Sequence, residues 1–236
     1  MVTLVASYPK YSSNTSKTQT LTTASFTAVA GELLVLKIQG ENGTVQFGTP
    51  SGGGPTWTQQ ALGDLSGDYT YGAIWTATAT GGTTTVSATR TNTTIAGYCS
   101  LVLERWSEAK LDSTMPQTAE VKASGAPLAS ITTAGDSAIT WLSGDWNATA
   151  PAGHAYRSGA VEDGFQDRSP NAYVAYYATQ QASAAGAQTL GLTSPAGQKY
   201  SILALEILNN ASGPAPTEWL AYGTPVAWNA TTTVIL

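Results

Sequence analysis

Four blocks of this 236-residue chain occur twice, in the same order and at nearly constant spacing. Ala30-Gly31-Glu32-Leu33-Leu34-Val35-Leu36-Lys37-Ile38 returns as Ala134-Gly135-Asp136-Ser137-Ala138-Ile139-Thr140-Trp141-Leu142. The block Tyr71 to Thr78 returns from Tyr173, and Gly82 to Thr89 returns as Gly186 to Thr193. Tyr98-Cys99-Ser100-Leu101-Val102-Leu103-Glu104 returns as Tyr200-Ser201-Ile202-Leu203-Ala204-Leu205-Glu206. The chain is therefore a duplicated unit, and whatever one half folds into the other should resemble.

The unit is built of strands. Charged residues make up only 11% of the chain, so its polarity rests on Thr, Ser, Gly, Asn and Gln. Thr favours strands, Gly and Asn favour turns, and no long segment carries a 3.6-residue apolar period. Each half offers four main strands, and a lone four-stranded sheet cannot bury its apolar face. The expected fold is all-β: one antiparallel, jelly-roll-like β-sandwich in which the sheets of the two pseudo-repeats close face to face. It should span residues 1–209, with pseudo-repeats at 18–107 and 122–209 joined by a segment without linker character. From residue 210 the texture changes. Ser212-Gly213-Pro214-Ala215-Pro216 reads as a turn, and an extended C-terminal arm without counterpart in the first half follows. Its apolar residues Trp219, Leu220, Tyr222, Trp228, Val234, Ile235 and Leu236 are candidates for subunit contact, because large apolar side chains are costly to leave in water.

Composition excludes several function classes. A formal net charge of −5, with ten basic residues scattered along the chain, argues against nucleic acid as partner. No apolar run is long enough for a membrane-spanning helix. The start lacks the charged region and apolar core of a secretory signal, so the chain is expected to be made and kept in the cytoplasm or released inside a particle. Cys99 is the only cysteine, which excludes an internal disulfide, and it reads as a small buried apolar residue.

Catalytic sets are missing. A Ser-His-Asp triad needs a histidine, and the single one, His154, sits in a loop with no nucleophile elbow in the chain. Zinc would need more Cys or His ligands than exist, and no cofactor motif occurs. Glu104 and Glu206 invite comparison with a glycosidase pair. Their equivalence in the two repeats favours a shared structural role at a strand end instead. Glu162, Asp163, Asp167 and Arg168 cluster in a long insertion between Trp146 and Tyr173; the stretch reads as a solvated acidic loop rather than a calcium site. The seven Trp and eleven Tyr are the richest functional material. Trp75, Trp106 and Trp141 lie in strand blocks and are expected in the core. Trp57 and Trp146 border loops, which makes them the candidates for glycan contact, with loop anchoring as the plainer role.

Several motifs together resemble a sandwich domain of actinobacterial phage virion proteins. They are Ser25-Phe26-Thr27 followed by Ala30 to Ile38, Pro55-Thr56-Trp57-Thr58, and Trp75-Thr76-Ala77-Thr78-Ala79. Gly144-Asp145-Trp146-Asn147 and Leu203-Ala204-Leu205-Glu206-Ile207 complete the set. The match covers about residues 18–208 and leaves the arm outside. The resemblance implies a non-enzymatic structural protein of a virion assembled in the host cytoplasm, of minor tail or tail-tip type. A head decoration protein and a carbohydrate-binding module contacting host cell-wall glycan are the alternatives. The partners it implies are other virion proteins, further copies of the chain and, at the host surface, a glycan.

Overall fold

The computed structural model describes residues 2–13, 15–41, 45–54, 56–63, 70–92, 96–112, 117–145, 153–157, 159–168 and 173–210. These form antiparallel β structure arranged in four layers. In the first half an inner sheet has the order β1 (Thr3–Tyr11), β10 (Cys99–Ser107), β4 (Leu33–Gly40), β7 (Tyr71–Thr78), β6 (Thr58–Gly63). An outer layer pairs β2 (Thr18–Thr22) with β9 (Ser87–Asn92) and β9 with β5 (Val45–Phe47), and β3 (Phe26–Ala28) with β8 (Gly82–Thr84). In the second half the inner sheet runs β12 (Thr118–Gly125), β19 (Gln198–Asn209), β14 (Ser137–Asp145), β17 (Val174–Ala182), β16 (Ala160–Asp167). The short β11 (Ala109–Lys110) also pairs with the end of β19. The outer layer there is β13 (Leu128–Thr133), β18 (Gly186–Ser194), β15 (Ala155–Tyr156).

The expectation of one sheet per repeat is thereby revised: each half is a complete two-sheet roll. Element by element, β12 corresponds to β1, β13 to β2 and β3, β14 to β4, β15 to β5, β16 to β6, β17 to β7, β18 to β8 and β9, and β19 to β10. Taking β2 with β3 and β8 with β9 as single interrupted outer strands, every connection in both halves crosses between inner and outer sheet except one hairpin, β6–β7 or β16–β17. That crossing pattern is the jelly roll. The two rolls stand back to back through their inner sheets.

Three cores follow from this stacking. One lies inside the first roll, built by Leu34, Leu36, Ile38, Trp75, Leu101 and Leu103 against Phe26, Val86 and Trp57. Another lies inside the second, with Ile139, Trp141, Tyr176, Ile202 and Ala204 against Ile131, Leu190 and Leu192. The middle one joins the rolls: Val35, Ile74, Val102 and Trp106 meet Leu142, Tyr177, Leu203, Leu205 and Ile207. The central inner strands are thus covered on both faces, and β4 and β14 are buried at every position. Such strands read as near-continuous apolar runs rather than alternating ones. The outer strands β2 and β13 alternate buried with exposed, as strands with one wet face must.

The two halves differ in phase. Leu34 and Leu36 of β4 point into their own roll, yet the offset-matched Ala138 faces the partner roll while Ile139 and Trp141 point inward. The turns that launch these strands also differ. Gly31 alone is left-handed in the first (φ 90°), whereas Gly135 and Asp136 both are in the second (φ 84° and 48°). Because strand side chains alternate with period two, a shift of one residue sends the whole set to the opposite face.

Candidate functional site between the two rolls

The inverted phase separates Glu104 from Glu206. Glu104 lies opposite Val35 on the face that meets the second roll. Glu206 lies opposite Ile139 and looks into its own roll. There its carboxylate accepts bonds from the Ala134 amide (2.8 Å) and the Ser137 hydroxyl (2.7 Å) at the turn. The first roll solves the same problem differently. Glu32 accepts from the Val29 amide and is held by Arg105, whose Nε and Nη2 donate at 2.9 and 2.8 Å. Both glutamates are structural, but Glu206 bonds the turn and Glu104 pairs with Lys37, so the shared role expected of them at a strand end is not observed.

Glu104 instead belongs to a buried ionic cluster contributed by both rolls. The Lys37 ammonium on β4 sits 2.5 Å from Glu104 Oε1 and 2.9 Å from Asp163 Oδ2, with Asp163 Oδ1 at 3.2 Å. The side chains of Lys37 and Glu104 are fully buried and that of Asp163 is 3% exposed. The Trp106 indole donates to Glu104 Oε2 (2.9 Å) and the Thr140 hydroxyl to Oε1 (2.8 Å). Lys37 also reaches the carbonyls of Trp141 and Ala178, and the Tyr177 ring lies 5.6 Å away.

Asp163 arrives there through a β-bulge. In β16, Glu162 faces Ala178 and Gly164 faces Tyr177, so Asp163 is the extra residue between two paired ones. Bulges re-aim side chains in this way. The glycine that follows permits the approach: a Cβ on Gly164 would lie 2.6 Å from Val102 Cγ2 of the first roll. The expected solvated acidic loop is therefore corrected. Its centre is a strand, and its aspartate is buried against a lysine because the bulge turns it inward.

Burial and charge divide the carboxyls. Burial works against the charge of Glu104, but Lys37 beside it and the donated bonds hold its carboxyl below the usual range. Burial pushes Asp163 well above the usual carboxylate range; Lys37 opposes the shift, and the charge of Glu104 and the hydrogen bond with it add to it. Burial draws Lys37 down, yet the two acids together raise it above an ordinary lysine. The cluster thus favours the charged form at Lys37 and Glu104 and the neutral form at Asp163.

Around it the interface remains polar. Ser100 Oγ bonds to the hydroxyls of Tyr173 and Tyr177. Gln39 reaches Thr70, which bonds Ser201 at 2.7 Å.

The other singled-out residues are placed elsewhere. Trp57 is 7% exposed, packs in the first core and donates from Nε1 to the Gly52 carbonyl at 2.9 Å. It anchors its loop and offers no open ring face for a sugar. Trp146 lies outside the described residues. So do Trp219, Leu220, Tyr222, Trp228, Val234, Ile235 and Leu236 of the arm. Trp75, Trp106 and Trp141 are core residues, as expected. His154 Nε2 meets Glu162 Oε2 at 2.7 Å, and its ring packs on Phe165 and Tyr176 at the end of the second roll. Arg168 donates to the Ser12 carbonyl, tying the insertion to the first roll. Among the described residues no group of three or more Cys, His, Asp or Glu is arranged to hold a metal, and no helix is long and apolar enough to cross a membrane.

Lys37 is the site residue that motif reading passed over. Its signal was present: a lone lysine inside Leu33-Leu34-Val35-Leu36-Lys37-Ile38, a run apolar enough for burial on both faces, needs an anionic partner. Compared with known proteins, the chain matches no family model, no curated protein and no solved structure.

Proposed function

We propose that this chain is a non-enzymatic structural protein of a bacteriophage particle, a minor tail or tail-tip component exposed on the virion. It assembles in the host cytoplasm with other virion proteins and with copies of itself. The observation that carries this reading is the commitment of the inner sheets. Two jelly rolls spend their broad faces on each other and bond the intervening polar groups internally. What remains for contact is the outer layers and the loops at the ends, which suits a rigid building block. The resemblance of residues 18–208 to phage virion sandwiches supports the same assignment, and the net charge of −5 fits partners other than nucleic acid.

The test is location in the particle. Antibody raised against the chain should label tails of intact phage in electron micrographs, and removal of residues 213–236 should prevent its incorporation. Labelling of heads would assign a capsid decoration protein instead. Absence from purified particles would refute the virion reading.

A further inference from the structure

We infer that Lys37 and Asp163 become joined by an intramolecular amide bond, so that the two rolls are covalently tied across their interface. The inference rests on four features of one place. The Lys37 nitrogen touches both oxygens of Asp163, at 3.2 and 2.9 Å, and so faces the carboxyl carbon. It touches a single oxygen of Glu104, whose other oxygen is taken by Trp106. All three side chains are removed from water, which otherwise favours hydrolysis of an amide from its parent acid and amine. Finally, a bulge and a glycine bring Asp163 to the lysine. A single solvent-excluded encounter held by two packed sheets has the character of an intramolecular reaction with a large effective concentration.

The residues divide the chemistry between them. Asp163 is the electrophile in its acid form, and its OH is the leaving group. Glu104 is the base, fixed as a carboxylate by Trp106 and Thr140. One proton passes from the Lys37 ammonium to Glu104, leaving a neutral amine. The nitrogen attacks Asp163 Cγ and the N–C bond forms. A second nitrogen proton moves to the departing hydroxyl, the C–O bond breaks, and water leaves. The products are a secondary amide, a protonated Glu104 and one water; no oxidant or cofactor is consumed and total charge is unchanged. The reaction replaces a buried ion pair by neutral groups, which a low-dielectric interior favours.

The bond is independent of where the protein resides, so its test is separate from the particle experiment. The purified full chain, denatured and weighed intact by mass spectrometry, should be one water lighter than its translated sequence. Proteolysis should yield a branched peptide joining the segments around Lys37 and Asp163. Lys37→Arg and Glu104→Gln chains, shown to be folded by circular dichroism, should have their full translated masses. An Asp163→Asn chain should lose one ammonia instead of one water, because the same amide forms from a carboxamide. Wild-type protein at its full translated mass overturns the inference. So does a water loss that persists in Lys37→Arg, which would mark a cyclic imide at Asp163-Gly164.

Discussion

Cys99 shows how fully a single position can be committed to structure here. Its thiol donates to Gln19 Oε1 at 2.8 Å within the first core, and burial pushes it up to about 12. The thiolate is the reactive form. At mildly alkaline pH the native chain should therefore show no reaction with a thiol-specific chromogenic reagent, and labelling in rising denaturant should follow global unfolding. Rapid labelling of the native protein would show that the site opens locally. Arg105 and Glu206 make a related point. Arg105 sits opposite Leu34 and Glu206 opposite Ile139, both facing the inside of a roll. Each serves the turn entering its roll, one by holding Glu32 and one directly. Opposite charges thus solve the same problem, which a residue-type comparison cannot reveal.

Among the elements, β16 carries the most consequence. Its bulge and Gly164 set how closely the second roll approaches Val102. Gly164→Ala should destabilise by about 1–3 kcal/mol through overpacking. Combining it with Val102→Ala should cost less than the sum of the two single changes, with a coupling of about 0.5–3 kcal/mol. Denaturant midpoints of the four chains measure this, and strict additivity would show that the two residues do not compete for space. The strands that matched the repeat, β4, β7, β10 and their partners, were legible because buried runs advertise themselves. β16 was not: Ala160-Val161-Glu162-Asp163-Gly164 mixes charge and glycine because it is an edge strand with a bulge, and it imitates a loop. β12 escaped for a similar reason. Its alternation of exposed with half-buried residues over Thr118–Gly125 never produces an apolar run. The site suffered doubly, since Lys37 is conspicuous only once its strand is known to be covered on both faces.

For the whole molecule, the middle core decides the folding unit. Leu203, Leu205, Ile207, Tyr173 and Tyr177 of the second roll are buried against Val35, Ile74, Val102 and Trp106 of the first. Separating the rolls would expose that apolar surface, and large exposed apolar patches drive association. The full chain should unfold in one cooperative calorimetric transition, while residues 117–210 expressed alone should aggregate or dimerise on size exclusion. Two resolved transitions, or a monomeric isolated half, would show the rolls to be autonomous. The duplication was plain in the blocks, but its packing was not, because apolar strand content counts buried faces without saying how many layers share them. Inherited change meets the inverted phase as well. Gene conversion between the two halves would align them by their matched blocks and deliver Lys37 to the place of Trp141, inside the outer core of the second roll. There Glu206 stands diagonally across from it, as Glu104 does from Lys37, but its carboxylate already accepts from the Ala134 amide and the Ser137 hydroxyl, so the transferred lysine would compete with the turn for it and leave the cluster between the rolls without a counterpart.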